Sequence, residues 1–178
     1  MLPVWIVGIG LPLAVGGVAA WLTMGSMEVY GALMQPPLSP PGWVFPVVWS
    51  ILYILMGIAS VLVWKSDAPE EEKQHALRLY GVQLVFNFIW PLLFFRAGWY
   101  GTAFVWLLLL ILLVLATTAA FRNIRPLAGY LLVPYVLWLL FAAYLNAGVW
   151  LLNGRQMTKE RGDPALLFLS ALLTQPAE

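Results

Sequence analysis

Two motifs follow each other without a break in this chain: the proline-rich Tyr30-Gly-Ala-Leu-Met-Gln-Pro-Pro-Leu-Ser-Pro-Pro-Gly42 and the apolar Trp43-Val-Phe-Pro-Val-Val-Trp-Ser-Ile-Leu-Tyr-Ile-Leu-Met-Gly57. Proline has no backbone donor and restricts the residue before it, so the prolines between positions 36 and 41 exclude helix and favour a stiff, extended segment. The second motif carries no charge and starts a run long enough to cross a membrane. Together they predict a lid over one end of a spanning helix.

Composition extends this prediction to the whole chain. Of its 178 residues, 62% are hydrophobic and 10% are charged. Several apolar runs reach roughly 20 residues, the length that a hydrocarbon core of about 30 Å requires of a helix, and they are continuous rather than alternating. The sequence predicts an all-α integral membrane protein, a five-helix bundle formed by residues 1–153, with spans at 3–24, 43–64, 77–95, 99–121 and 126–152 and a lid loop at 25–42. The first run lacks the basic residue of a secretory signal, so we expect it to be retained as a helix.

Several classes of function are disfavoured by what the chain contains. The net charge is +1 and no basic cluster could follow a phosphate backbone, so nucleic acid is not an expected partner. There is no cysteine, and the one histidine, His75, lies in a polar loop expected at 65–78, where we interpret it as solvated surface. We therefore predict no metal site and no covalently bound cofactor. No group of acid, base and nucleophile lies in the spans to support ordinary hydrolysis or group transfer.

The basic residues bear on orientation. Five of them flank the second and fourth loops: Lys65, Lys73, Arg78, Arg122 and Arg125. The positive-inside rule then places the N-terminus and these loops in the cytoplasm and the lid outside. Three in the tail favour the opposite: Arg155, Lys159 and Arg161. For the tail, 154–178, an interfacial helix, a disordered segment and a vector-derived addition all remain open, since its apolar piece at 165–173 is too short to span.

Polar and aromatic side chains recur at helical spacing inside the spans. They form three stripes: Trp49, Tyr53, Met56 and Ser60; Gln83, Asn87 and Trp90; and Trp138, Ala142 and Asn146. An amide is costly in hydrocarbon unless it is paired, so the stripes should face the bundle interior. The amides could bond each other or a backbone carbonyl, for about 1 kcal/mol, or could line a mostly apolar cavity. The tryptophans of the stripes could likewise contact a ligand or simply pack.

Four motifs in register carry a resemblance to a known family. They are Tyr30-x-x-Leu-x-x-Pro-x-x-x-Pro-Pro41, Phe45-x-x-Val-Trp-x-x-Leu-Tyr-x-x-Met-Gly57, Gln83-Leu-x-x-Asn-x-x-Trp-Pro-x-x-Phe-Phe95 and Pro134-Tyr-x-x-Trp-x-x-Phe-Ala-x-x-Leu-Asn146. The chain resembles, over about residues 3–153, the translocator protein family (TspO/MBR), also called tryptophan-rich sensory protein or peripheral-type benzodiazepine receptor. Gln35 and Leu38 depart from the family pattern, which usually has lysine and an aromatic residue there.

The resemblance implies five helices, a homodimer, and a pocket below the first loop that binds porphyrins, notably protoporphyrin IX, or drugs of the benzodiazepine-site type. Carried over by motif position, the ligand-binding residues are Tyr30, Pro40, Trp49, Tyr53, Asn87, Trp90, Trp138, Ala142 and Asn146. The expected location is a lipid bilayer, a bacterial cell membrane rather than the mitochondrial outer membrane. Specific cholesterol binding is not predicted, because no basic residue follows Tyr144 at the short spacing of the proposed sterol motif.

Three functions are compatible with this resemblance. The leading one is a membrane receptor or sensor that stacks a planar hydrophobic ligand, protoporphyrin IX, on Trp49 and Trp138. The second is a light- and oxygen-dependent enzyme that degrades the bound porphyrin, in which Trp49 and Trp138 would be the catalytic residues. The third is a porphyrin or lipid transporter, against which the sequence shows no inverted repeat and no embedded carboxylate.

Overall fold

The computed structural model describes residues 2–26, 30–161 and 163–165, and only the backbone of 154–161. Five helices are long and apolar enough to cross a membrane. They are α1 (Leu2–Thr23), α2 (Val44–Trp64), α3 (Glu70–Pro91), α4 (Tyr100–Ile124) and α5 (Pro126–Arg161). A 3₁₀ turn, Met24–Ser26, continues α1, and a π-helical turn, Leu92–Ala97, continues α3. The predicted all-α bundle of five spans is confirmed, and the described part contains no strand.

The two largest differences from the predicted helix ends are at the start of α3 and the end of α5. Helix α3 begins at Glu70, seven residues before the expected start, because Glu70, Glu71 and Glu72 form an acidic first turn that the helix dipole stabilises. His75 is exposed, as predicted, but on a helix rather than in a loop. Helix α5 continues beyond 152 to Arg161, since hydropathy marks the edge of the membrane and not the end of the helix. Of the predicted tail, residues 162 and 166–178 lie outside the described residues.

The break after α3 lies where proline predicts one. Pro91 ends the regular helix, and the π-helical turn that follows stops at Gly98, whose φ of 66° is the left-handed conformation that glycine adopts without a steric penalty. The backbone N–H of Trp99 donates to the Leu93 carbonyl at 3.0 Å and closes this turn. As a result, α4 starts only two residues after the turn ends and runs back beside α3.

Glycines set the distance between α1 and α2. A Cβ on Gly57 would lie 2.6 Å from the Ile9 Cα and 2.7 Å from the Gly8 carbonyl oxygen. A Cβ on Gly16 would overlap the ring of Tyr53. Small residues allow this approach in membranes, where packing rather than the hydrophobic effect holds helices together. Gly8 and Gly16 on α1, together with Gly57 on α2, therefore allow the two helices to pack closely.

The outer surface is apolar, as lipid contact requires. Trp21, Trp43 and Trp64 are more than half exposed near span ends, where indole rings anchor at the headgroups. Lys65 places its ammonium 5.6 Å from the ring centroid of Trp5, a cation–π contact at one membrane surface. Leucines such as Leu112, which is 63% exposed, cover the outer face of α4. This arrangement identifies a multi-pass integral membrane protein.

Candidate functional site

A chain of buried hydrogen bonds crosses the centre of the bundle. The Tyr53 hydroxyl donates to Asn87 Oδ1 at 2.7 Å, Asn87 Nδ2 donates to the Tyr135 hydroxyl at 2.8 Å, and Tyr135 donates to Gln83 Oε1 at 3.1 Å. Gln83 Nε2 ends the chain on the sulfur of Met56 at 3.8 Å. Each member is buried, so the prediction that Gln83 and Asn87 face the interior is confirmed. The chain joins α2, α3 and α5.

Beside this chain lies a cavity of about 380 Å³, within the size range of small-molecule sites. It is enclosed by α1, α2 and α3, and its wall is almost entirely apolar. Helix α1 provides the small residues Gly16, Ala19, Ala20 and Thr23, while α2 and α3 provide Phe45, Trp49, Tyr53, Asn87 and Trp90. Four of the lining residues are exposed: Ala20 on α1, Met24 in the turn that continues it, Gly42 in the lid and Pro46 in the first turn of α2. The cavity therefore opens sideways, towards the membrane.

Of the predicted site residues, some line this cavity and the others do not. Trp49, Tyr53, Asn87 and Trp90 line it. Five predicted residues do not: Tyr30, Pro40, Trp138, Ala142 and Asn146. Phe45 lines the cavity and also contacts Trp138, whose ring it meets edge-on at a centroid distance of 6.0 Å. Ala142 is buried in the core of the bundle.

Tyr30 and Asn146 have structural partners. Tyr30 is buried against Phe94 and Phe95, with ring centroids 5.8 and 5.4 Å away. Burial raises the pKa of its hydroxyl above that of an ordinary tyrosine, with a smaller contribution from Tyr100. Asn146 is fully buried, accepts from Trp90 Nε1 at 3.3 Å and donates to the Tyr100 carbonyl at 2.8 Å. Its bond to a backbone carbonyl is one of the two alternatives that the sequence left open.

Sequence reasoning missed Tyr135, which is the largest fully buried side chain described. It contacts the edge of Trp49 at 6.0 Å and connects Asn87 to Gln83. Its position three residues before Trp138, on the same helical face, was the available signal. Without Tyr135 the amide of Asn87 would lack its acceptor on α5.

The cavity offers a flat aromatic surface with one polar point. Trp49 stacks on Tyr53 at a centroid distance of 5.5 Å and an angle of 29°. Asn87 uses one acceptor and one donor in the buried chain, and an amide has a second lone pair and a second N–H. Within the described residues no group of three His, Cys, Asp or Glu could hold a metal. This wall suits a planar, largely apolar molecule with a central or edge hydrogen-bonding group.

The proline lid is fastened to α5. Asn153 accepts from the Met34 backbone N–H at 3.1 Å and donates to the Met34 carbonyl at 2.8 Å. The Tyr144 hydroxyl donates to the Pro37 carbonyl at 2.7 Å. Pro36 lies on Gly148, where a Cβ would come within 2.5 Å of the proline ring. Of the lid, Gly42 alone reaches the cavity wall within the described residues.

The contact at Gly148 yields a first prediction. Alanine there should push Pro36 away, because the methyl group would overlap a rigid ring that cannot rotate aside. We expect Gly148→Ala to loosen the lid and raise its protease sensitivity several-fold, while Gly31→Ala, which adds a methyl group into open space, leaves it unchanged. Timed limited proteolysis in detergent measures this. Equal cleavage rates in the two variants would contradict the fastening.

Comparison with known proteins agrees with this architecture. The model of the TspO/MBR family matches residues 8–151. The chain belongs to this family. It is 41% identical over 157 residues to the Translocator protein of Homo sapiens and 39% identical over 155 residues to that of Ovis aries, covering 84% of this chain and 92% of each relative. It is 36% identical over 146 residues to the Tryptophan-rich protein TspO of Chlorobaculum tepidum, covering 82% and 92%.

Family membership confirms the resemblance seen in the motifs and the integral membrane location. Relatives from bacteria such as Chlorobaculum tepidum agree with the predicted bacterial cell membrane. The matched residues include every helix segment that lines the cavity and end just before Asn153, which fastens the lid. The part of α5 beyond 151 and the segment at 163–165 lie outside the family match.

Proposed function

We propose that this protein is a membrane sensor or receptor that binds protoporphyrin IX, or a similar planar hydrophobic ligand, in the cavity between α1, α2 and α3. The family includes a Tryptophan-rich sensory protein and several proteins named Translocator protein, which supports a sensor or receptor role. The observation that carries the proposal is the aromatic wall of the cavity. Trp49, Tyr53 and Trp90 line it, and Asn87 contributes a side-chain amide to the same wall. Aromatic rings favour offset stacking on a flat conjugated ligand.

The position of the opening indicates how such a ligand would lie. Met24 and Gly42 mark the end of the cavity next to the lid, at the membrane surface, and Asn87 marks its inner wall. An amphiphile with a flat apolar ring and charged edge groups fits this gradient if its charges remain at the headgroups and its ring meets Trp49. The free donor and acceptor of Asn87 then face the ring nitrogens. This orientation keeps the charged edge out of hydrocarbon, where it would be costly.

Titration with protoporphyrin IX in dim light tests the proposal. We expect saturable binding in wild-type protein and a loss of about tenfold in affinity for Trp49→Ala, since aromatic stacking of this kind contributes about 1–3 kcal/mol. Trp21→Ala, at an exposed tryptophan outside the cavity, is the matched control and should bind like wild type. Binding is followed by the porphyrin absorption band, so that the changed tryptophan content does not affect the readout. Equal affinities of the two variants would overturn the proposed site.

Illumination of the same samples tests the photochemical alternative. Trp49 lines the cavity, whereas Trp138 does not line it and contacts the lining residue Phe45. If the protein degrades the porphyrin in light and oxygen, the product should therefore depend on Trp49 more than on Trp138. Saturable binding without spectral loss would favour sensing.

The homodimer stays a prediction.

A further inference from the structure

The C-terminal end of the described chain is tied to the start of α4 by one buried carboxylate. Asp163, which is 3% exposed, accepts from the Gly101 backbone N–H at 2.7 Å, and from the backbone N–H and hydroxyl of Thr102 at 3.3 and 2.8 Å. The first N–H groups of a helix have no partner within it, and a negative charge there is stabilised by the helix dipole. We call this contact, Asp163 with Gly101 and Thr102, the clasp.

The residues of the clasp are tightly packed against each other and against Trp150. A Cβ on Gly101 would lie 3.1 Å from Asp163 Oδ2 and 3.1 Å from the indole of Trp150 on α5. Asp163 Oδ1 also accepts from the Ala165 N–H at 3.0 Å, which turns the chain over the helix end. The carboxylate thus satisfies donors from both segments. Movement of the first turn of α4 by a few tenths of an ångström would lengthen these bonds and weaken the clasp.

The same turn of α4 is connected to the cavity. Tyr100, the residue before the clasp, accepts through its carbonyl from Asn146 Nδ2 at 2.8 Å. Asn146 in turn accepts from Trp90 Nε1 at 3.3 Å. The ring of Trp90 lines the cavity and its N–H points away, to the fully buried Asn146. At 3.3 Å, the bond from Trp90 is long for N–H···O, whereas the bond from Asn146 to Tyr100 has an ordinary length.

We propose that the clasp responds to occupancy of the cavity, through Trp90, Asn146 and the first turn of α4. A ligand stacked on Trp90 restricts the indole and holds its N–H on Asn146. Asn146 then holds the Tyr100 carbonyl, and the turn presents its N–H groups to Asp163. In the empty protein the long Trp90 bond breaks more often and the clasp opens with it. This proposal rests on ligand binding in the cavity and names the segment at 163–165, outside the family match, as the element that changes.

Coupling between two sites acts in both directions, so the proposal can be tested at the clasp and at the cavity. If ligand favours the closed clasp, loss of the clasp must weaken ligand binding by the same factor, and couplings of this kind are about 5- to 150-fold. We expect Asp163→Ala to lower affinity for protoporphyrin IX at least about fivefold, although residue 163 does not line the cavity. Asp67→Ala, which removes an exposed carboxylate from the loop between α2 and α3, is the matched control and should leave affinity unchanged.

The clasp itself can be followed with a spin label, because the chain contains no cysteine and one introduced at the exposed Pro164 is unique. We expect protoporphyrin IX to lower the mobility of the label in wild-type background. Trp90→Phe, which keeps an aromatic ring but removes the indole N–H, should raise the mobility of the label in the absence of any ligand. The measurement without ligand separates the link between Trp90 and the clasp from the proposal that the cavity binds porphyrin. Increased mobility of the label in Trp90→Phe supports that link even if no porphyrin binds.

Two results would overturn the connection. One is unchanged mobility in Trp90→Phe, which would show that the clasp does not depend on the Trp90 N–H. The other is saturable porphyrin binding with the same affinity in Asp163→Ala and wild type, which would show that the cavity and the clasp are independent. Asp163→Asn keeps the size of the side chain and one acceptor, and it should lie between wild type and Asp163→Ala in both measurements.

Discussion

Gly57→Ala is expected to push α1 away from α2 and so to displace the wall of the cavity that α1 forms. The added methyl group would lie 2.6–2.7 Å from backbone atoms of Ile9 and Gly8. Backbone cannot move aside as a side-chain rotamer can, so the two helices must shift apart. Overpacking of this kind costs about 1–3 kcal/mol. Since α1 also lines the cavity through Gly16 and Ala19, ligand affinity should fall with stability.

Gly17→Ala provides the matched control for that prediction. A Cβ on Gly17 meets nothing within 4 Å, and in a helix interior alanine is more favourable than glycine by about 1 kcal/mol. Both variants add one methyl group to the α1–α2 pair, but Gly57→Ala is expected to lower the stability of the protein and Gly17→Ala to raise it. Thermal unfolding in detergent, followed by circular dichroism, measures both. A Gly57→Ala protein as stable as Gly17→Ala would show that α1 and α2 are not in close backbone contact.

Asn87→Leu is expected to destabilise the centre of the bundle by about 2 kcal/mol. The substitution removes the acceptor of the Tyr53 hydroxyl and the donor to Tyr135. Tyr135 still donates to Gln83, so its loss is small, whereas the Tyr53 hydroxyl becomes an unpaired buried donor. Such a donor costs about 1–3 kcal/mol, while an interhelical hydrogen bond in a membrane contributes less on average, about 0.6 kcal/mol.

A second substitution tests this explanation. In the Asn87→Leu background, Tyr53→Phe removes the unpaired hydroxyl and should restore about half of the lost stability, although in wild type it would itself be destabilising. The four unfolding free energies form a double-mutant cycle, which isolates the coupling between the two side chains. A cycle that closes with no coupling energy would contradict the central role of the Tyr53–Asn87 bond.

Much of the bundle follows from single-residue chemistry. Apolar length gives five spans, and the cost of an unpaired amide in hydrocarbon places Gln83 and Asn87 inside, as observed. The early start of α3 at Glu70 could also have been predicted, because acidic residues favour a helical first turn. Hydropathy conceals it, since that segment is polar and helical at once. The far end of α5 is hidden for the same reason.

The candidate site was harder to predict than the fold. Periodicity shows that the stripe of Asn146 faces inward, but not whether a void or a partner lies opposite. In the structure Trp90 and Asn146 bond each other, so one lines the cavity and the other supports it from behind. The fastening of the lid at Asn153 joins residues that are 119 positions apart. Such long-range pairs depend on how helices are arranged and leave no local pattern.

The sideways opening of the cavity at Ala20 and Met24 determines which concentration governs binding. If the cavity binds the proposed ligand, a hydrophobic molecule that partitions into the bilayer reaches the opening from there, and occupancy depends on the number of ligand molecules per lipid rather than per volume of water. The apparent dissociation constant in water should then rise in proportion to the amount of lipid added, while the mole fraction at half-saturation stays constant. Binding through this opening would thus depend on the composition of the membrane that surrounds the protein.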